Sequence, residues 1–420
     1  MTRISSYREA EAYLLGTIDE VTSPRTSYKL DRMRALLHHL GDPHRSYPTI
    51  HVGGTSGKGS TSTMIAGALR ASAKRTGLHT KPHLHSMTER ACVDGLPISR
   101  ERFTELLEHA MPAIECTTSE YGRPTYYETL LALAFAHFAQ ERVDVAVIEV
   151  GLGGRLDGTN VLQPVVAAIT SVGYDHTEIL GTALEAIAFE KAGIAKPGVP
   201  LVLGSLPDSA AAVIETYAAQ VGAPVVYARD VVQIDDVPPL PILGIFQLTN
   251  AVTAIAVLKQ LGETLRPSRD AIRRSFSELS LPGRMELLPA KPPVVFDMAH
   301  NAEKAESLVD SLRESFAGRR VHYVVAIGET KDARRILEIL AALPCTFTFT
   351  SYAAAGRRAI APSRLATIAE SIGCWGRAIG DPIEALTVAR RLAAIDDVVV
   401  VTGSTFVVGE LREWFIPAIV

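Results

Sequence analysis

The stretch "HVGGTSGKGSTSTMIAGALRAS", His51–Ser72, decides how the first half of the chain is read. A short apolar run leads into Gly53, Gly54, Gly57 and Gly59, with Lys58 and the hydroxyls of Ser60 and Thr61 among and after them. Glycines let a backbone turn tightly and approach a ligand, and the start of the following helix offers unpaired N–H groups to an anion. Lys58 adds a point charge suited to β- and γ-phosphate oxygens, and Ser60 or Thr61 lies where a hydroxyl can reach a magnesium ion. The familiar spacing G-x-x-x-x-G-K-[ST] is nonetheless absent. Five positions before Gly57 stands Val52, and the residue after Lys58 is Gly59. Two readings fit: a phosphate cradle of another build, or a strand-to-helix turn with a solvated lysine.

The same rhythm continues outward. "VDVAVIEV" (143–150) follows the helical pattern "ETLLALAFAHFAQE" and runs into "GLGGRLDGTN", and "PVVAAITSV" (164–172) reaches "GYDHTEILG" before a helix through "ALEAIAFEKAG". Continuous apolar strands alternating with amphipathic helices predict a mostly parallel sheet covered on both faces. A second series begins near residue 290 with "PPVVFDMAHN", "VHYVVAIGETKD", "CTFTFTS" and "DVVVVTGST", three of them expected to feed helices. Between the series, Pro282-Gly283 and the prolines at 289, 292 and 293 break regular structure. The expected division is residues 1–288 and 289–420, two α/β domains with a cleft between them.

The whole chain narrows the options. At 420 residues it is too long for one ordinary core. Apolar residues at 47% and charged ones at 21% describe a globular protein. A net charge of −4 and the lack of a long basic run give no reason to expect nucleic acid. The apolar runs are strand-length, so no membrane partner is expected. Arg8 and Glu9 stand where a secretion signal needs an apolar run, so the expected location is the cytoplasm. Cys92, Cys116, Cys345 and Cys374 form no C-x-x-C pair, and each is expected to be buried and inert.

In open parallel sheets, ligands bind beyond the carboxyl ends of the strands. Two such ends join the glycine loop. Glu149 closes a buried apolar strand, where a carboxylate is costly unless paired or metal-bound. Asp175-His176 follow the next strand, and Glu149 with His176 could share a divalent ion beside the phosphates; a purely structural role fits the same residues. "EVGLGGRLDG" fails as G-x-G-x-x-G because Leu156 takes the last position. G-x-S-x-G and N-K-x-D are absent, so neither a hydrolase elbow nor a guanine site is supported.

Ten blocks in order then carry a resemblance: "IHVGGTSGKGST", "PHLHSMTER", "EVGLGGRLDGTN", "DHTEILG", "EKAGIAKPG", "GIFQLTNAVTAIA", "LPGRMELL", "FDMAHN", "KDARRIL" and "VTGSTFVVGE". The chain resembles folylpolyglutamate synthase and dihydrofolate synthase, members of the Mur ligase superfamily, nearly end to end. "GTSGKGS" is similar to their shortened phosphate loop G-T-N-G-K-G-[ST], with Ser56 for asparagine. The resemblance implies a P-loop-type, mostly parallel sheet plus a smaller Rossmann-like C-terminal α/β domain. It implies ATP-dependent amide ligation of L-glutamate to dihydropteroate or a reduced folate through an acyl phosphate. ATP and magnesium are the implied cofactors, with potassium as a further candidate cation, and the chain is expected to act as a monomer on small molecules. By motif, Thr55, Ser56, Gly57, Lys58, Gly59 and Ser60 would hold the triphosphate. Ser60, Glu149 and His176 would ligate magnesium, and Lys191 in "EKAGI" matches a carbamylated lysine. Asn250 and Arg284 would contact ATP, with Asp297 and His300 contributed by the second domain. Tyr126 and Tyr127 in "PTYYE" and Leu156, Asp157 and Gly158 in "LDG" would form the pterin side.

Three departures stand out. Thr80-Lys81-Pro82-His83-Leu84 replaces a usual Thr-Ser-Pro-His-Leu, so an ammonium stands where relatives have a metal-binding serine. Phe246 stands for a common histidine before Gln247, and Leu281 for a frequent tryptophan before "PGR". Lys81 therefore joins the candidates for substrate contact. Two alternatives accompany the folate reading: a ligase joining an amino acid to a non-folate carboxylate, and a nucleotide-binding protein that has lost turnover.

Overall fold

The structure is a computed structural model and describes residues 4–18, 30–354 and 357–416. The N-terminal stretch is therefore described from Ile4, and Arg8 and Glu9 lie in the helix Tyr7–Leu15.

The chain packs as two units. The first holds the residues up to Pro239 together with Leu248–Leu279, and the second holds Leu240–Gln247 and the residues from Ser280 onward. The first unit's strands are β1 (Thr49–Gly53), β2 (Thr76–His79), β3 (Cys92–Val93), β4 (Leu96–Pro97), β5 (Val145–Glu149), β6 (Val166–Ile169), β7 (Leu201–Leu203) and β8 (Val225–Tyr227). They form one sheet in the order β4-β3-β2-β5-β1-β6-β7-β8. From β2 to β8 every pairing is parallel, and only β3 and β4 run against their neighbours. Every residue of β1, β5, β6 and β7 is buried, as strands covered on both faces must be. The helix Lys58–Ala71 packs on β1, β2 and β5 and against the helix Arg269–Ser277. Elsewhere in this unit Phe135 and Phe138 join Leu107 and Ile148 in one apolar core, while Ile187, Ala188 and Ile214 pack with Ile169 and Leu201 in another.

The second unit contains β9 (Glu286–Leu288), β10 (Val294–Phe296), β11 (Val321–Val325), β12 (Cys345–Phe349), β13 (Gly376–Ala378) and β14 (Val398–Thr402). Their order is β13-β12-β11-β14-β10-β9, parallel except for β9 against β10. The register Glu286↔Phe296 and Leu288↔Val294 explains why this unit begins before residue 289. "MELL" reads as linker in sequence, but it supplies the sheet's edge strand. All four strands of the second series are followed by helices, not three: Ala302–Ser315, Ala333–Leu340, Pro362–Ser371 and Thr405–Phe415. Short β13 escapes sequence reading because its residues are at most partly buried and show no alternation.

Among the described residues, no helix is long and apolar enough to cross a membrane. All four cysteines are free; Cys92, Cys345 and Cys374 are only partly buried and Cys116 is exposed on the helix Arg100–Tyr121, so none is fully buried as expected. Burial pushes the Cys92 and Cys345 thiols up to about 12, which leaves them protonated and unreactive.

In the second core, Tyr323 stacks on Phe347 at 5.4 Å between centroids, and Phe347 on Phe349 at 5.4 Å. The Tyr323 hydroxyl is buried with no hydrogen-bond partner among the described residues. An unsatisfied buried hydroxyl is destabilising, so Tyr323→Phe should raise the denaturant midpoint of this unit by the equivalent of about 1 kcal/mol. Guanidinium unfolding checks this, and a lowered midpoint would contradict it.

Candidate active site

At the end of β1 the chain turns through residues 54–57 and enters the helix Lys58–Ala71. Gly57 has φ +81, and a Cβ there would stand 2.2 Å from Asn250 Oδ1. Only glycine lets Asn250 lie this close under the loop. Lys58 folds back on its own loop, donating from Nζ to the carbonyls of Gly54 at 2.9 Å and Thr55 at 3.0 Å. The loop is also held from the chain after β6. Thr55 N–H donates to the Ser171 carbonyl at 2.9 Å and Ser56 N–H to Ser171 Oγ at 2.9 Å. The Ser56 carbonyl accepts from Thr170 Oγ1 at 2.6 Å and Ser171 Oγ at 3.0 Å. The Thr55 hydroxyl accepts from Gly173 N–H at 3.0 Å. Thr170 and Ser171 thus build the cradle, although sequence reading did not single them out. Their one signal is a pair of small hydroxyl residues closing a buried apolar strand. Ser60 is buried just inside the helix, and the fully buried Thr61 hydroxyl has no partner among the described residues.

Next to the loop, Glu149 closes β5 and is only 3% exposed. The order β2-β5-β1 and the register Val52↔Glu149 set this carboxylate beside the loop's root. Its Oε2 accepts from the Lys81 backbone N–H at 3.0 Å, where the chain leaves β2. The Lys58 ammonium is pushed down to about 8 by burial and then by the Lys81 charge, against the pull of Glu149, Asp175 and Asp157. His176 takes φ 52 at the cap of the short helix Thr177–Leu180. Its ring lies 3.7 Å from Glu178 and 3.9 Å from Asp175. Among the described residues, no three or more His, Cys, Asp or Glu side chains form a ready metal cage. A magnesium ion accompanying a nucleotide keeps waters and takes only one or two protein oxygens plus phosphates, a demand that the Ser60 hydroxyl and the Glu149 carboxylate suit by their chemistry. Lys191 is 3% exposed in the last turn of the helix Leu184–Ala192, next to Glu190, which accepts from Arg155 Nη2 at 2.8 Å.

On the loop after β5, Asp157 is buried and occupied by the protein itself. Its Oδ1 accepts from Thr159 N–H at 3.0 Å, Thr159 Oγ1 at 2.5 Å and Tyr127 OH at 3.1 Å, and its Oδ2 from Leu152 N–H at 2.7 Å. A Cβ on Gly151 would stand 2.6 Å from both Asp157 Oδ2 and the Tyr127 hydroxyl, which explains the glycine opening "GLGG". Because Thr159 gives its proton to Asp157, its oxygen accepts from His51 Nε2 at 2.8 Å. Burial pushes that imidazole down to about 3, so it is neutral. Tyr126, on the same helix as Tyr127, carries the Arg90 guanidinium 5.6 Å from its ring centroid. Arg90 Nε also donates to His83 Nδ1 at 3.0 Å. Arg90, like Thr170 and Ser171, is thus a residue that only the fold brings into view. Leu156 and Gly158 flank Asp157 and are partly exposed.

The second unit arranges its own candidates. Asp297 follows β10 and accepts from Met285 N–H and Ala299 N–H, each at 2.9 Å. Burial pushes its carboxyl up to about 6, against those two donors and the Arg284 and Lys304 cations. His300 donates from Nδ1 to the Met298 carbonyl at 2.8 Å, and its Nε2 meets Lys304 Nζ at 3.3 Å. Arg284 lies in the turn just before β9, where Glu286 accepts two bonds from Arg412, each at 2.8 Å.

Residues 52–200 match the Mur ligase middle domain, and residues 283–405 match the glutamate ligase domain of Mur ligases. The chain is 31% identical over 433 residues to the dihydrofolate synthase/folylpolyglutamate synthase of Bacillus subtilis, covering 97% of this chain and 99% of that one. It superposes on Mycobacterium tuberculosis folylpolyglutamate synthase complexed with ADP with a TM-score of 0.89, at 31% identity over 99% of this chain and 100% of the other. The Yersinia pestis bifunctional folylpolyglutamate synthase/dihydrofolate synthase, complexed with AMPPNP and a Mn ion, gives a TM-score of 0.84 at 29% identity over 99% of both chains. With both domains matched and the likeness running end to end, the chain belongs to the folylpolyglutamate synthase/dihydrofolate synthase family of Mur ligases.

Proposed function

We propose that this chain joins L-glutamate to a folate-type carboxylate at the expense of ATP, with Lys58 and its loop as the phosphate cradle. The observation that carries the reading is the loop itself: left-handed Gly57, a lysine at the start of a 14-residue helix, and a buried glutamate ending the neighbouring strand. Membership in the family makes the protein an ATP-dependent ligase that uses a divalent metal. None of the relatives named above is named for a non-folate acceptor.

The chemistry asks little of the protein beyond positioning and charge. A carboxylate oxygen of the acceptor attacks the γ-phosphorus, and ADP leaves. The amine of glutamate then attacks the acyl carbon, phosphate leaves, and the amine proton passes to a base or to solvent. In this reading, the loop of residues 55–60 holds the phosphates through the backbone N–H groups of residues 57–60, at the start of the helix, and through the Lys58 ammonium, while Thr55 and Ser56 keep the loop in shape. Ser60, Glu149 and His176 are the residues that would hold magnesium, which when bound spreads that charge further. Lys191, buried beside Glu190, is read as a carbamate: its amine takes up CO2, releases a proton and becomes an anionic ligand. Asn250, Arg284, Asp297 and His300 are assigned to nucleotide and acyl phosphate. Tyr126, Tyr127 and the segment around Leu156, Asp157 and Gly158 are assigned to the pterin. Since Asp157 is occupied by protein donors, its part in that surface is to shape it. The enzyme is read as a cytoplasmic monomer, and a net charge of −4 gives no electrostatic reason for a nucleic-acid partner.

Incubation with ATP, magnesium, bicarbonate, L-glutamate, dihydropteroate and tetrahydrofolate should give, by mass spectrometry, a pterin product heavier by one glutamate residue. ADP release without such a product would remove the folate reading. Lys58→Ala should lower turnover by about 100-fold or more with an unchanged circular dichroism spectrum; wild-type turnover in this variant would show the phosphate loop to be misassigned. Lys191→Ala should lose about 10- to 100-fold in turnover, partly restored by added short carboxylic acids. Full activity without rescue would rule out the carbamate.

A further inference from the structure

The end of β2 brings a second lysine to the phosphate loop. Lys81 is anchored through its backbone, whose N–H donates to Glu149 Oε2 at 3.0 Å. Glu149 lies opposite Val52 in the β1–β5 register, and His79 lies opposite Ile148 in the β2–β5 register. Three adjacent parallel strands therefore end side by side, carrying the Lys81 segment, the Glu149 carboxylate and the Lys58 loop. The Lys81 charge lies within electrostatic reach of Lys58 and of His79. Two ammonium groups that disfavour each other are stabilised together when a polyvalent anion enters between them. Lysine suits this task, being a compact charge on a flexible four-carbon stem.

We propose that Lys81 is a second phosphate-facing cation, which shares the charge of the nucleotide's terminal phosphates with Lys58 from the other side of Glu149. The inference rests on reading residues 55–60 as the phosphate cradle. It gives this chain a second tethered positive charge, beside Lys58, in addition to what a divalent ion brings. Lys81 acts in nucleotide affinity and in how strongly that affinity depends on metal. With the backbone N–H held by Glu149, substituting the side chain leaves the strand-end anchor in place.

Binding separates this role from a structural one. AMPPNP, ADP and adenosine are titrated calorimetrically into wild type, Lys81→Met, Lys81→Arg and Lys58→Met, with chelator and then with magnesium. Lys81→Met should weaken metal-free AMPPNP binding by about tenfold or more, the effect of losing one charge-assisted contact. It should leave adenosine binding unchanged, and Lys81→Arg should restore most of the loss. Added magnesium should narrow the gap between Lys81→Met and wild type. If Lys58→Met abolishes metal-free binding while Lys81→Met does not change it, Lys81 is not a phosphate contact and the cradle reading stands. If neither variant changes AMPPNP affinity, the cradle reading itself fails. A wild type that binds AMPPNP only with magnesium, or an adenosine affinity lost together with the rest, would also overturn the proposal.

Discussion

The first unit's site hangs on the hydrogen bonds that Thr170 and Ser171 make to Ser56. The Ser56 carbonyl receives both hydroxyls, and the Ser56 N–H is taken by one of them. A glycine-rich turn by itself has many conformations, and ordering it is entropically costly. These bonds select one of them before any ligand arrives. Lys58 completes the selection from within by capping the carbonyls of Gly54 and Thr55. An anion entering the loop then competes for an ammonium that is already in position, so the reorganisation required is small.

Charge around this loop is balanced rather than simply positive. Burial and the Lys81 charge disfavour the Lys58 ammonium, while Glu149, Asp175 and Asp157 favour it. Asp157 is relieved by four protein donors, whereas Glu149 accepts the Lys81 backbone amide. The two carboxylates thus differ in kind: Asp157 organises a loop, and Glu149 remains close to the place where charge has to be managed.

The legible parts of the fold were those with strong local patterns. β5 and β6 are continuous apolar runs with polar residues at or just after their ends, and β1 runs into a glycine-rich turn, so both their existence and the chemistry at their ends can be read from the sequence. The edge strands were not legible. β9 is short and proline-flanked, and β13 is partly exposed, so neither alternates. The cradle's supports were hidden for another reason: Ser56 and Thr170 are 114 residues apart, and nothing in either neighbourhood announces the other. The hub at Asp157 was invisible in the same way, because an acidic residue in a glycine loop reads as a ligand contact until its four donors are seen. Arg90 lay inside a quoted block, but its stacking on Tyr126 depends on a helix well downstream.

The close approach of Asn250 to Gly57 bears on how the protein is made. Residues 54–60 leave the ribosome early, yet the segment Leu248–Leu279 that returns to the first unit comes only after Leu240–Gln247 has been given to the second. Contacts this distant in sequence form late, since a long loop must close before they contribute. During synthesis the strands around β1 can pair as they emerge, while the floor beneath Gly57 stays open until Asn250 arrives. The place where phosphate would sit is therefore among the last parts of the first unit to be finished, so a nascent chain holds a nearly complete sheet before it holds a complete nucleotide loop.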